Sequence, residues 1–478
     1  MPDLTPGRRN LVLAICCMSL FIVGLDVTIV NVALPTIQTD FHAQVSGLQW
    51  ILDAYTLVLA SFLMLAGSTA DRLGRRRIFR IGLTLFTLGS LMCSLAPSLG
   101  WLIVARIIQA LGGSMLNPVA LSIVTNTFTE PKERARAIGM WGAVFGLSMA
   151  LGPVIGGTLV SSIGWRAIFW VNVPIGIAAL VLTTLFVPES KAPRARRPDP
   201  VGQILVILTL AGATSAIIEG PRRGWGNGLI IGLFALAAVA VIALVRYENR
   251  RTEPLIDPRF FRSTPFAGAT VTAVCAFLTV AGFLFLNALY LQDSRGYSAI
   301  HAGLLTLPMA VASLITSPLS GRLVGSRGPR LPMLAASACL IAGCLIMAQF
   351  TTGTSLYVVG VAYALMGFGS GFVNAPITNT AVSGMPRSQA GVAAAVASTS
   401  RQVGSSLGVA IFGSILASGT SFTHDSHVCW YVALGCAIVI GLLGIITTGS
   451  AAKASAARTA ALFTQADAAT RVTVAQGS

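Results

Sequence analysis

Two carboxylates in this 478-residue chain stand where carboxylates are costly. Asp26 lies inside an apolar run at 11–34, and Asp53 lies inside the next, at 49–69. The other fourteen of the sixteen acidic residues fall in loops, tails or the ends of apolar runs. Arg106 and Arg401 are the cations placed well inside such runs. In a bilayer an ionisable side chain needs a partner, water or a function. At about 1.5 Å per residue, Asp26, Asp53 and Arg106 come to similar depths, roughly 5–9 Å from the midplane on one side. A carboxyl group at that depth can load and release a proton, because burial raises its pKa and a nearby guanidinium lowers it. The alternative chemistry is a permanent ion pair. Asp26 is nearer the midplane and is the first choice for proton coupling, with Asp53 and Arg106 beside it. Asn31, Gln109, Asn117, Asn374 and Arg401 are the polar residues that would line a cavity between the runs. No nucleophile–base set is present, so the chain is read as no enzyme. The eight cysteines lie in apolar stretches and read as packing residues. His424 and His427 read as loop residues, and neither a metal nor a cofactor is expected.

The elements that must hold these groups are membrane helices. Hydrophobic residues make up 54% of the chain and charged residues 10%, with a mean hydropathy of +0.79. An ordinary soluble domain carries roughly 25% charged residues. Soluble enzymes, disordered regulators and disulfide-rich secreted domains are therefore excluded. A span needs about 20 apolar residues. That rule gives fourteen spans: 11–34, 49–69, 78–96, 101–124, 137–159, 166–187, 201–219, 227–245, 266–291, 301–321, 331–349, 355–378, 393–418 and 429–449. The first is too long for a signal-peptide core and lacks a small-residue cleavage site, so it reads as a retained span. With the N-terminus inside, twenty-six of the 32 Lys and Arg fall in inner segments and four in outer loops. That asymmetry sets the orientation, with both termini cytoplasmic. It also accounts for the net charge of +16 without nucleic acid as a partner. Glu219, before Arg222 and Arg223, and Asp293 read as interfacial charges.

The chain repeats itself. Gly67-Ser-Thr-Ala-Asp-Arg-Leu-Gly74 precedes Arg75-Arg76, and Gly321-Arg-Leu-Val-Gly-Ser-Arg-Gly328 precedes Pro329-Arg330, 254 positions later. Asn117-Pro118 echoes Asn374-Ala-Pro376 at an offset of 257. A duplicated six-helix unit predicts such agreement, and in a helical membrane protein it points to a transporter with its site between the halves. The fold class is all-α integral membrane: two pseudo-symmetric six-helix bundles plus two inserted linker helices. The domains run 1–190, 191–264 (inserted helices seven and eight), 265–449 and 450–478, the last read as a poorly ordered cytoplasmic tail. In the fifth span Gly139, Gly142, Gly146, Gly152, Gly156 and Gly157 fall within an arc of about 140°. Such a face, with Pro153 in it, lets another helix approach closely and slide. In the loop at 67–77, glycines permit a sharp reversal, and Asp71 can cap or pair with the arginines.

These residues resemble the major facilitator superfamily, in its fourteen-helix drug–proton antiporter branch. The first span carries Leu25-Asp-Val-Thr-Ile-Val-Asn-Val-Ala-Leu-Pro35. The loop carries Gly67, Asp71, Arg72, Gly74, Arg75 and Arg76. The fourth span has Arg106-Ile-Ile-Gln109 with Gly112, and the fifth has Gly146 and then Gly152-Pro153-x-x-Gly156-Gly157, the motif typical of antiporters. Trp165-Arg-Ala-Ile-Phe-Trp-Val-Asn172-Val-Pro174-Ile-Gly176 follows, and Arg401-Gln402-x-Gly404 lies in the thirteenth span. The resemblance covers about residues 10–450. The second half departs from it, with Gly325 where Asp71 stands, and Ala110 replaces a usual glycine. The resemblance implies a multi-pass protein of the bacterial inner membrane, monomeric, exporting small amphiphilic compounds such as drugs in exchange for protons by alternating access. It also implies that Asp26, Asp53 and Arg106 serve proton coupling. A dedicated exporter of one endogenous metabolite and an importer of the same fold remain as alternatives.

Overall fold

The computed structural model describes residues 5–192, 199–251, 254–383, 385, 389–419 and 421–476, and these contain helices and no strand. Long apolar runs leave the backbone no hydrogen-bond partner but itself, so each becomes a helix. The first unit comprises α1 (Pro6–Phe41), α2 (Val45–Leu73), α3 (Arg75–Ser94), α4 (Leu99–Thr127), α5 (Pro131–Ser162), α6 (Ala167–Trp170) and α7 (Asn172–Phe186). Then come α8 (Pro200–Arg223) and α9 (Gly228–Glu248). A short 3₁₀ turn, Pro258–Arg262, leads to α10 (Thr264–Leu289), which ends in a π-turn at Tyr290–Ser294. The chain continues through α11 (Ala299–Leu305), α12 (Leu307–Arg327), α13 (Arg330–Met347), α14 (Leu356–Val382), α15 (Ala390–Ser418), α16 (Phe422–Ile446) and α17 (Ser450–Gln476). Starts are marked by proline in the first turn of α1, α5, α8 and α10, and by side-chain caps from Ser98, Glu130, Asp199, Asn227 and Ser355.

Twelve helical segments among the described residues are long and apolar enough to cross a membrane. Helices α3 and α15 fall outside that set. Their sequences explain it: α3 opens on Arg75, Arg76, Arg77 and Arg80, and α15 is rich in serine and carries Arg401. Two expected spans are interrupted. The sixth is α6 and α7, broken near Val171, and the tenth is α11 and α12, broken at Thr306 ahead of Pro308.

Helices α1 to α7 pack on one another, as do α10 to α16, while α8 and α9 form a pair whose α8 lies against both α2 and α15. The halves touch directly through α2 with α15, α5 with α11 and α12, and α1 with α10. Hydrogen bonds that join the two halves directly lie on the face away from the basic loops. Gln49 Nε2 donates to the Val409 and Ala410 carbonyls (3.3 and 2.8 Å), Gln292 Nε2 to Val32 O (2.9 Å) and Ile300 N to Ser161 Oγ (3.2 Å). One apolar core crosses the seam there, joining Ile29, Leu34, Leu48 and Phe169 to Phe283, Leu286, Tyr290 and Phe412. A second core, from Val12 to Val187, belongs to the first half alone. Nearer the basic face, Gly139 and Gly142 of α5 and Gly321 and Gly325 of α12 have open space beside them. The contacts described between the two halves thus gather at the end away from the basic loops.

The end of the chain differs from the expected loose tail. Alanine is the best helix former, and α17 sets Ala452, Ser455, Ala456, Thr459 and Phe463 along one buried stripe. Ser455 Oγ accepts from Thr264 N (3.0 Å), and the Phe463 ring lies 5.2 Å from that of Phe260 and under the Arg259 guanidinium.

Candidate functional site

Helices α1 and α4 bring Asp26 and Arg106 together. Arg106 NH1 lies 2.5 Å from Asp26 Oδ2, and both side chains are buried. Gln109, one turn along α4, completes the cluster. Its Nε2 donates to Asp26 Oδ1 (2.8 Å) and Ser90 Oγ (2.8 Å), and its Oε1 accepts from Arg106 NH1 (2.6 Å). Asn172, at the start of α7, donates to Asp26 Oδ1 (3.3 Å). Arg106 Nε donates to the Ile51 carbonyl (3.2 Å), and the guanidinium stacks 4.0 Å from the centre of the Tyr55 ring. Every hydrogen-bonding oxygen of Asp26 is occupied by donors from α3's neighbours in the same half. Charge and counter-charge there satisfy each other within one half.

Asp53 is placed differently. It is fully buried on α2, yet Arg106 does not reach it. Its Oδ1 accepts from Thr56 Oγ1 (3.3 Å), and its Oδ2 has no full hydrogen bond. Across the seam its carboxyl group interacts with the Ser406 hydroxyl of α15, in a geometry too poor for a full hydrogen bond. Asp53 and Ser406 thus meet where the first half packs on the second. The chemistry open to a carboxyl group so placed is gain and loss of a proton.

The polar residues expected in a cavity separate into four places. Gln109 is inside the ion-pair cluster. Asn374 and Arg401 are brought together between α14 and α15: Arg401 NH2 donates to Thr378 Oγ1 (2.6 Å) and to Asn374 O (3.4 Å), and its Nε is unbonded. Asn31 is buried and turned back to Val27 O on its own helix (3.0 Å), and Asn117 Oδ1 is buried without a donor.

The loop after α2 is a clamp. Arg75 binds Asp71 through two nitrogens (2.7 and 3.0 Å). Gly74 has φ +117°, which a side chain would resist. Arg75 N donates to Ser190 O and Ala192 N to Asp71 O, which ties the loop to the segment after α7. Glu189 accepts from the backbone of Arg76 and Arg77 (3.0 and 3.3 Å) and so caps α3. Arg72 is exposed, and Gly67 lies against Pro118. In the second half Gly328 repeats the positive φ of Gly74, but Gly325 offers no carboxylate to build the clamp.

The glycines of α5 divide their work. A methyl at Gly152 would strike Thr28 of α1, and one at Gly156 would strike Ile29. Gly157 lies against the backbone of Ala299 in α11, and the Pro153 carbonyl lies against Gly303, so these positions carry the contact between halves. Gly146 has only the tip of Leu314 beside it, 3.9 Å away. Ser90, Tyr55, Gln49, Ser406 and Glu189 escaped the sequence reading. An isolated serine or glutamine in a span carries no spacing that marks it, although Glu189, the acid between α7 and a run of basic residues, could have been suspected as the cap.

The model of the Major Facilitator Superfamily matches residues 16–409. The multidrug resistance protein Stp of Mycobacterium tuberculosis is 42% identical over 410 residues, covering 86% of this chain and 76% of that protein. The methylenomycin A resistance protein of Streptomyces coelicolor is 36% identical over 423 residues, covering 87% of each. Among solved structures, the human organic anion transporter MFSD10 (15% identity, TM-score 0.63) covers 92% of this chain and 100% of that one. A bacterial homologue of the human lysosomal transporter Spinster, solved inward-facing and unoccupied (18% identity, TM-score 0.59), covers 97% and 99%. At such identities these two share the fold alone.

Proposed function

Because this chain belongs to the Major Facilitator Superfamily and is a multi-pass membrane transporter, we propose that it is a monomeric, proton-driven exporter of small amphiphilic compounds, working by alternating access in a bacterial inner membrane. Fourteen helices cross the bilayer in this reading, α3 and α15 among them, and the basic face with both termini is cytoplasmic, as the arginine distribution favours. The two six-helix units are the moving bodies, and α8 and α9 span the seam. The state described here is then inward-open: the outer seam is closed by Gln49, Gln292 and the Gly157–Ala299 contact.

The observation that carries the coupling is Asp53, buried at the seam with one oxygen unbonded. When α2 and α15 part on the outer side, Asp53 meets water and exchanges its proton. When they close, the carboxyl group is enclosed against Ser406. This ranks Asp53 above Asp26, whose ion pair holds the first unit together. The Arg401–Asn374–Thr378 group supplies polar contacts toward the open side. The names of the relatives support drugs or antibiotics as cargo. They include both multidrug proteins and one for a single compound, methylenomycin A, so a dedicated exporter is the second reading. A susceptibility panel in an efflux-deficient host tests the function. The wild type should raise resistance to several unrelated amphiphiles, and Asp53→Asn should not. Resistance to one compound alone would favour the dedicated exporter, and none at all would refute export.

A further inference from the structure

Outside the seam, one site on the bilayer-facing surface is built for a ligand that nothing above assigns. Helices α3 and α7 leave a groove of about 700 Å³ between them. From α3 it is lined by Arg77, Arg80, Ile81, Thr84 and Leu85, which recur at the three- and four-residue spacing of one helix face. From α7 the walls are chiefly Leu180, Val181 and Leu185. The groove is apolar along its length and cationic at one end.

The arginines at that end are uncommitted. Arg75 is paired with Asp71, and Arg76 NH1 donates to the Val187 carbonyl (3.3 Å). The side chains of Arg77 and Arg80, by contrast, are exposed and have no acidic or hydrogen-bonded partner among the described residues. Glu189, the nearby acid, is engaged with the α3 backbone. Arg80 sits five residues into α3, about 7–8 Å along its axis. That depth on a bilayer-facing side leaves a guanidinium two options: reach back to water, or meet a counter-charge in the headgroup layer. The apolar walls decide between them. Ile81 is 40% exposed, Val181 51% and Leu185 63%, forming a channel that runs away from the arginines into the bilayer. A molecule with an anionic head and an alkyl chain satisfies both parts.

We propose that this groove binds an anionic phospholipid of the cytoplasmic leaflet, its phosphate held by Arg77 and Arg80 and one acyl chain laid between α3 and α7. The inference rests on the membrane placement of α3 and not on the identity of the cargo. Basic pockets between helices on the cytoplasmic side are fitted to such headgroups. The bound lipid would brace α3 against α7 beside the clamp of Asp71 and Glu189.

The test is direct binding by the purified full-length protein in a neutral detergent. Phosphatidylglycerol and phosphatidylcholine of identical chains are titrated and read by native mass spectrometry. The wild type should prefer phosphatidylglycerol. Each cationic side chain near an anionic headgroup is worth about fivefold, so Arg77→Gln with Arg80→Gln should weaken phosphatidylglycerol about twenty-fivefold and erase the preference. Val181→Trp, which fills the groove and keeps both arginines, should weaken both lipids. Equal binding of the two lipids by the wild type would overturn the proposal, as would an unchanged affinity in the double glutamine variant. Displacement of the lipid by inorganic phosphate, or no effect of Val181→Trp, would reduce the site to a surface anion contact and also overturn it. Preferential occupation by a cationic amphiphile would make it a cargo entry instead. Transport plays no part in the readout, so failure here is distinct from failure of the export reading.

Discussion

Asp26 and Asp53 are chemically the same group and differ only in company. Asp26 has a guanidinium and two amides for partners; Asp53 has one threonine hydroxyl and an oxygen with no full hydrogen bond. The sequence put both acids at membrane depth and preferred Asp26, because depth along a helix can be counted in residues. Partners cannot be counted that way: Ser90, Asn172 and Tyr55 come from three other helices. Stability separates the two roles. Removing one member of a buried ion pair costs about 3–5 kcal/mol, because the other is left uncompensated. Asp26→Asn should therefore lower the Tm of the purified protein markedly, whereas Asp53→Asn should leave it unchanged or raise it, since no cation loses a partner. Differential scanning fluorimetry in detergent measures both. Equal loss in the two variants would place Asp53 in a structural pair as well.

Helix α5 shows how an element divides between structure and motion. All six of its glycines share one arc in the sequence, yet they meet different things. Gly152 and Gly156 pack on α1, Gly157 meets α11 of the other half, and Gly139 and Gly142 meet nothing. Periodicity reveals a face but not which helix covers it. The same limit explains the helix inventory. Apolar length marked the twelve segments long and apolar enough to cross a membrane, but the breaks at Val171 and Thr306 depend on local packing, and α17 was hidden because its stripe is made mostly of small residues. Gly157→Val should prevent closure on the outer side, stop transport and increase labelling of an outer-seam cysteine placed at Gln292. Gly139→Val, with open space beside it, should transport at close to the wild-type rate. Equal effects would show that the α5–α11 contact does not control closure.

At the scale of the whole molecule, one apolar core crosses the seam on the side away from the basic loops, while Gly139 and Gly142 of α5 and Gly321 and Gly325 of α12 have open space beside them. Duplication in the sequence predicts two units with a site between them, but not which end is closed, since one sequence serves both states. The end that carries the basic loops is braced by α17, whose Ser455 and Phe463 dock on Thr264 and Phe260. Deleting 464–478 should leave expression and Tm unchanged, whereas deleting 450–478 should lower both; fluorescence-detected size exclusion of the two truncations reads the difference. The central claim is that a proton on Asp53, exchanged as the units rock, drives export. Its most direct test is export from oriented proteoliposomes under an imposed pH gradient, comparing wild type with Asp53→Asn. The variant should still bind cargo and exchange it at equilibrium while losing all accumulation driven by the gradient. Undiminished gradient-driven export by Asp53→Asn would contradict the account.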